Sequence, residues 1–135
     1  MAPEALRRPG GAGPAGERGR AGEELACAHL RGLGFGILER NYRCRVGEID
    51  VVARDGDTLV FVEVKDRSDP SHGSAVEAVT LAKRRRVVRA ARLWAAAHGA
   101  SESRLRFDVV AIDRDGAAAE PRIRHERDAF GAGGA

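Results

Sequence analysis

The hydrophobic pattern is most regular between residues 46 and 65, where two runs of mostly β-branched residues flank the pair Asp55-Gly56. An Asp-Gly pair between two such runs is a strong signal for a β-hairpin. If Asp55 and Gly56 are the central turn residues, Asp50 lies opposite Phe61 and is a diagonal neighbour of Glu63, roughly 7–8 Å away. A turn longer by two residues would place Asp50 directly opposite Glu63, and a slip of one residue would put them on different faces.

Four charged residues interrupt this hairpin, and they share one of its faces: Glu48, Asp50, Glu63 and Lys65. Side chains alternate between the two faces of a strand, so residues an even number of positions apart point the same way. Three carboxylates and an ammonium group on a mostly apolar hairpin are costly to remove from water without a partner. The pattern therefore predicts a metal site on this face.

An amphipathic helix is predicted from Glu17 to Gly32, with an apolar stripe that includes Ala26 and Leu30. Glu23 lies three residues before Ala26 and extends this stripe, whereas its neighbour Glu24 falls on the solvent-facing side. The alternative for Glu23 is a first-turn carboxylate that stabilises the helix dipole. The stripe favours Glu23 as the acid that points inward.

A second helix is predicted from Ala75 or Val79 to His98. Lys83 lies four residues from both Val79 and Val87, which places it on the apolar face of this helix. Between Val79 and His98 there are six basic residues and no acidic one. A helix of one charge sign indicates a phosphate backbone nearby, with a solvated basic face as the alternative. The basic residues other than Lys83 are Arg84, Arg85, Arg86, Arg89 and Arg92.

Three further segments have strand character: residues 35–42, residues 104–113 and, as a short edge strand, residues 122–130. Residues 104–113 follow a helix, so this strand is expected to run parallel to a neighbour through a crossover connection. The predicted fold is α/β, a mixed sheet with flanking helices in the order α-β-β-β-α-β. Residues 17–130 form the domain, between a flexible tail at 1–16 and a flexible end at 131–135.

Composition narrows the class of protein. A chain of 135 residues with 43% hydrophobic and 32% charged residues is typical of one soluble globular domain. The six aromatic residues are few for a protein that stacks nucleobases on a platform. Cys27 and Cys44 lack metal-ligand spacing and are expected to be free thiols. With no signal-peptide or membrane-spanning pattern, we expect a cytoplasmic protein without a membrane partner.

The motifs, in their order, resemble the YraN-like family of small bacterial proteins. The matching residues are Gly22-Glu23-Glu24-x-Ala26, Gly47-Glu48-Ile49-Asp50, Phe61-Val62-Glu63-Val64-Lys65-x-Arg67, Lys83 and Arg106-Phe107-Asp108-Val109-Val110. This family is grouped with the PD-(D/E)XK, or restriction endonuclease-like, nuclease superfamily and is similar to archaeal Holliday-junction resolvases. The resemblance covers residues 17–130 and implies a restriction endonuclease-like fold.

The resemblance also implies a metal site. Asp50 and Glu63 would hold Mg²⁺ or Mn²⁺, with Glu23 in or just behind the ligand set and the backbone carbonyl of Val64 completing it. Lys65 would orient the attacking water or stabilise the charge that develops on the phosphate. The implied catalytic residues are therefore Asp50, Glu63, Lys65 and Glu23.

Three further residues have implied supporting roles. Lys83 would contact phosphate or support Glu63, and Glu48 would act as an outer carboxylate or hold a second metal. Asp108 occupies a recurring family position, with a structural salt bridge to Arg106 or Arg67 as the alternative. The residues expected to contact nucleic acid are Arg67, Lys83, Arg84, Arg85, Arg86 and Arg89.

Two functions follow as hypotheses. The first is a Mg²⁺-dependent endonuclease that hydrolyses phosphodiester bonds, acting on DNA, either branched or single-stranded. The second is a non-catalytic nucleic-acid-binding protein that keeps the nuclease fold. The resemblance to junction-cutting enzymes adds a symmetric homodimer as an expected assembly, since cutting two strands favours it.

Overall fold

The computed structural model describes residues 14–67, 73–114 and 120–131. Apart from residues 14–16 and 131, the tail and end expected to be flexible lie outside the described residues. The elements are α1 (Pro14–Gly32), β1 (Gly36–Cys44), β2 (Gly47–Asp55), β3 (Thr58–Arg67), a 3₁₀ turn (Val76–Ala78), α2 (Leu81–Ala97), β4 (Arg104–Asp113) and β5 (Arg122–Phe130).

The five strands form one open sheet in the order β1-β2-β3-β4-β5. All neighbouring strands are antiparallel except β3 and β4, which are parallel and are connected through α2. The expected parallel pairing of residues 104–113 is therefore confirmed, and so is the mixed α/β class. The strand predicted at residues 122–130 is present as β5 and forms one edge of the sheet.

The two helices cover opposite faces of the sheet. Ala26 and Leu30 of α1 pack with Val60 and Val62 of β3 in one core cluster. Residues of α2 form the other cluster, together with Phe61 from the same strand. Because side chains alternate along a strand, Glu63 and Lys65 lie on the α2 side of β3, with Phe61.

The hairpin turn differs from the prediction by one residue. Asp55 pairs with Thr58, so Gly56 and Asp57 are the central turn residues rather than Asp55 and Gly56. Gly56 has a φ of 62°, and a positive φ at the first central position is the pattern of a type II′ turn. The predicted pairing of Asp50 with Phe61 is therefore wrong, because the glycine takes the first central position rather than the second.

The corrected register brings the two acids closer together. The last pair recorded between β2 and β3 is Val51 with Val62, and one position beyond it stand Asp50 and Glu63. This is the alternative register, in which the two carboxylates face each other across neighbouring strands.

The second helix begins later than predicted because of its cap. Val79 is extended, with φ −106° and ψ 111°, and Thr80 precedes the first helical residue, Leu81. The Thr80 hydroxyl accepts a hydrogen bond of 3.1 Å from the backbone N–H of Lys83, which satisfies one of the free donors at this helix end. In the described part of the chain, neither helix is both long and apolar enough to cross a membrane.

Candidate functional site

Among the described residues, Glu63 has the most unusual side-chain environment. It is a carboxylate with only 1% of its surface exposed, in the apolar middle of the sheet. Its Oε1 lies 3.3 Å from Nζ of Lys83, and its Oε2 is buried with no hydrogen-bond partner among the described residues. Burial, and then the nearby charge of Asp50, raises the pKa of Glu63 to about 8. One of the two oxygens of this carboxylate is therefore buried without a hydrogen bond, although buried polar atoms in proteins are usually hydrogen-bonded.

Asp50 is the neighbour of Glu63 across the hairpin. Its Oδ2 accepts a hydrogen bond of 2.8 Å from the backbone N–H of Val64. Burial raises the pKa of Asp50 in spite of this bond and of the Lys83 charge, and the carboxylates of Glu23 and Glu48 raise it further. The direction of both pKa shifts means that the pair lacks enough positive charge for two ionised carboxylates.

The backbone of β2 is irregular at Asp50. Ile49 packs in the α2 cluster and Val51 in the α1 cluster, although residues two apart in a regular strand share a face. The residue across from Asp50 in β1 is Asn41, between two intact register pairs, and it has a φ of 56°. The alternation of faces therefore reverses at Asp50, which the sequence-based assumption of a regular hairpin did not include.

Glu23 reaches the same region from α1. Its side chain is 15% exposed, and its Oε1 accepts a hydrogen bond of 3.0 Å from Nδ2 of Asn41. The guanidinium of Arg40 lies 3.7 Å from Glu23 but only 2.9 Å from Glu24, whose side chain is 65% exposed. The structure thus holds Glu23 beside β1 through a short contact from a neutral amide.

Two lysines flank the acids. Lys83 comes from the first turn of α2, is 28% exposed and reaches Glu63. Lys65 lies two residues beyond Glu63 on the same side of β3, is half-buried and makes no ion pair with any described residue. One ammonium group is therefore engaged with the acids, and the other is available to a ligand.

The structure brings together part of the predicted metal site. Asp50, Glu63 and Val64 are in contact or adjacent in register, whereas Glu23 is held through Asn41. Within residues 14–67, 73–114 and 120–131, no three Asp, Glu, His or Cys side chains form a ready-made metal cluster. The residues that could hold a cation are consequently the pair Asp50 and Glu63, with Glu23 behind them.

An open cleft of about 320 Å³ is lined in part by Lys83, the residue that contacts Glu63. Gly47 allows the start of β2 to lie close to α2, since a Cβ at this position would be 3.2 Å from the backbone oxygen of Arg86. Glu48 is in this cleft and pairs with Arg43 at 3.2 Å. The cleft is lined by Arg43, Cys44, Gly47, Glu48, Lys83 and Arg86.

The basic residues expected to contact nucleic acid divide into two groups. Arg85, Arg86 and Arg89 are exposed on α2. Arg84 instead donates to the carbonyl groups of the segment before α2, and Arg67 pairs with buried Asp113 and is only 11% exposed. The second group stabilises the fold with the atoms that would otherwise bind phosphate.

Asp108 belongs to a separate network on the other side of the sheet. It is fully buried and lies opposite Val62, which faces α1 rather than α2. Arg106 donates to it at 2.9 and 3.0 Å, His125 contacts it at 2.8 Å, and the backbone N–H of Asp128 donates at 3.0 Å. Of the two salt-bridge partners considered for Asp108, Arg106 is therefore the one observed.

The pKa of Asp108 reflects this network. Burial raises it, but the hydrogen bonds from His125, Arg106 and the Asp128 backbone outweigh burial and hold the pKa at about 2. His125 in turn lies 3.1 Å from a ring nitrogen of His29 in α1. Sequence spacing gave no signal for this contact, because the two histidines are 96 positions apart.

Comparison with known proteins gives consistent matches over most of the chain. The model of the uncharacterised protein family UPF0102 matches residues 22–112. A UPF0102 protein of Anaeromyxobacter dehalogenans is 51% identical over 126 residues, which are 90% of this chain and 92% of the relative. Another, of Geotalea daltonii, is 49% identical over 112 residues, 83% of this chain and 87% of the relative. These matches confirm the resemblance to the YraN-like family drawn from the motifs.

Proposed function

The chain belongs to the uncharacterised protein family UPF0102, and we propose that it is a Mg²⁺-dependent nuclease that hydrolyses phosphodiester bonds of DNA. The observation that carries this proposal is the carboxylate of Glu63. Its buried Oε2 has no partner among the described residues, and Glu63 lies beside a second, half-buried acid, Asp50. A site of this kind stabilises the folded protein only when a cation or a proton neutralises it.

The donor set fits a hard divalent cation. Asp50 and Glu63 would hold Mg²⁺ or Mn²⁺ through carboxylate oxygens, and Glu23 and the carbonyl of Val64 are the further oxygen donors of the same region. The cation would give the unpartnered Oε2 its missing contact. When bound, it supplies Lewis-acid polarisation of a phosphate and a water of lowered pKa.

The two lysines would do different work. Lys83 keeps positive charge against Oε1 of Glu63, which orients that carboxylate before any ligand arrives. Lys65 has no ion-pair partner among the described residues, so its ammonium group is free to orient a water or to donate to a phosphate oxygen. Lys65 is accordingly assigned to the reacting phosphate and Lys83 to the ligand Glu63.

The cleft and the exposed side of α2 would hold the substrate backbone. Arg43 and Arg86 line the cleft beside Lys83, and Arg89 lies one helical turn from Arg86. Contacts from arginine to phosphate are independent of base sequence, and they make binding depend on salt. This arrangement favours a nuclease that selects its substrate by shape rather than by sequence.

The decisive experiment is a cleavage assay with the purified chain. Labelled single-stranded, duplex, flap and four-way-junction DNA, and RNA, are incubated with Mg²⁺, Mn²⁺ or EDTA, alongside Asp50→Asn and Lys65→Ala. We expect cleavage of at least one DNA with either metal, no cleavage in EDTA, and loss of cleavage in both variants. The proposal would be overturned if the protein bound DNA without cleaving it in either metal, and if this binding were equal in wild type and variants.

The assay also tests a second function, a nucleic-acid-binding protein without catalysis. One observation favours it: Lys83 already lies 3.3 Å from Glu63 and offsets part of the buried charge without a cation. The basic surface would then be the functional part of the molecule. Retained binding with no metal-dependent step is the result that would support this alternative.

The basic surface gives a prediction that concerns binding alone. Arg86→Ala and Arg89→Ala are each expected to weaken DNA binding and to reduce the slope of log K against log[salt] by about 1. Both residues are exposed beside the cleft, so neither change should alter the fold. The measurement is fluorescence anisotropy at several salt concentrations.

The matched control for this prediction is Arg104→Ala. Arg104 is also exposed, but in the strand register it lies beside Thr58, at the opposite end of β3 from Glu63 and Lys65. Arg104→Ala should leave both the affinity for DNA and its dependence on salt unchanged. An equal loss in all three variants would indicate a general charge effect and would contradict a phosphate-binding surface on α2.

A further inference from the structure

Asn41 has an unfavourable backbone conformation at a place that matters for the site. Its φ is 56°, in the left-handed region, although it lies within strand β1. It stands across from Asp50, and its side chain donates to Glu23 at 3.0 Å. One residue is therefore next to two of the three acids of the candidate site.

The left-handed backbone favours glycine, asparagine or aspartate at this position, so it does not by itself select the amide of asparagine. Glycine adopts a left-handed conformation without steric cost, and asparagine and aspartate do so more readily than other residues with a Cβ. The side chain is exposed, so it contributes little to the hydrophobic core. What asparagine adds over glycine is the amide group that reaches Glu23.

A neutral donor suits a carboxylate that has to remain negative. The nearest cation to Glu23 is Arg40 at 3.7 Å, but the closest contact of Arg40 is to Glu24 at 2.9 Å. The short hydrogen bond to Glu23 thus comes from Asn41, which orients the carboxylate without cancelling its charge. Partners of this kind fix the direction of metal-binding groups.

We propose that Asn41 is a positioning residue of the cation site, which holds the Glu23 carboxylate beside Asp50 through its side-chain amide. The inference rests on the proposed nuclease function and deepens it, since it adds a residue that touches neither substrate nor metal. The left-handed backbone of Asn41 lies where the alternation of β2 reverses at Asp50, so both strands are irregular at the same level. The amide is the part of this arrangement that a substitution can remove by itself.

The test uses Asn41→Gly, which tolerates the left-handed backbone and removes the amide. Its matched control is Asp128→Gly, because Asp128 is an exposed non-glycine residue in β5 with a φ of 54°. Binding of Mn²⁺ to the DNA-free protein is measured by electron paramagnetic resonance of the free ion. We expect Asn41→Gly to weaken Mn²⁺ binding about tenfold and Asp128→Gly to leave it unchanged.

A double-mutant cycle separates positioning from a merely structural role. If Asn41 acts through Glu23, Asn41→Gly weakens Mn²⁺ binding in the wild-type background and has no further effect in Glu23→Gln. Equal weakening in both backgrounds, or wild-type affinity in Asn41→Gly, would overturn the assignment while leaving the metal site intact. Failure of the wild-type protein to bind Mn²⁺ would instead remove the proposed metal site, and the role of Asn41 with it.

Discussion

Glu63→Gln is expected to lower the rate of metal-dependent DNA cleavage by about 10³-fold or more, because metal-ion catalysis supplies several kcal/mol. The same variant is expected to be as stable as wild type, or more stable, in the absence of metal. Burial and the Asp50 charge raise the pKa of Glu63 to about 8, so the metal-free fold disfavours the ionised form of this carboxyl. Glutamine has the same shape and no charge, and it removes the cost of a buried group that must ionise to bind a cation.

Both effects are measurable on one preparation. Cleavage rates are compared with Mg²⁺ present, and thermal unfolding is followed in EDTA. The control is Glu102→Gln, the same chemical change at an exposed residue of the turn that follows α2. Full cleavage activity in Glu63→Gln would contradict the proposed metal site. Marked destabilisation of this variant in EDTA would show instead that the Lys83–Glu63 pair stabilises the fold.

Asp108→Asn is expected to lower the free energy of unfolding by about 3 kcal/mol, since it removes a buried charge that Arg106 pairs with, although Arg106 keeps its second ion pair, with Asp55 at 3.0 Å. Asp108 is fully buried and accepts from Arg106, His125 and a backbone N–H, so an amide cannot satisfy all of these groups. The expected fall in Tm is on the order of 10 °C or more. The control is Asp57→Asn at the exposed hairpin turn, which should have little effect.

The same carboxylate predicts how stability depends on pH. The pKa of Asp108 is lowered to about 2 in the folded state, from its ordinary value of 3.8. The contribution of this pKa shift to the free energy of unfolding is therefore fully present above pH 3.8 and is lost as the pH falls towards 2. Urea unfolding across this range should show a loss of stability in wild type that is smaller in Asp108→Asn. If the free energy of unfolding depended on pH identically in both proteins, the pH dependence would not come from Asp108.

The sequence predicted the elements well because their signals are local. Residues 104–113 and 122–130 show strand patterns that coincide with β4 and β5, and the parallel pairing followed from the intervening helix. The hairpin was also predicted, but its register was wrong because Gly56 can occupy either central turn position. A one-residue choice in the turn decided whether Asp50 faced Phe61 or Glu63.

The contacts that organise the site could not be predicted in the same way. Asn41 reaches Glu23 from a left-handed conformation that no hydrophobic pattern encodes. Arg67 resembled a phosphate-binding residue by position, yet its guanidinium pairs with Asp113, 46 positions later in the chain. Pairings over such separations depend on the tertiary packing of whole elements, whereas the sequence pattern reports only the elements themselves.

Asn41 and Asp128 also bear on how the protein avoids aggregation. They are the non-glycine residues with positive φ in the described part of the chain, and they lie in β1 and β5, the two edge strands. A regular edge strand offers a continuous row of free N–H and C=O groups to which another extended chain can add. A left-handed residue interrupts this row, so each edge presents only short stretches for pairing. The sheet is thereby protected at both borders against growth by added strands.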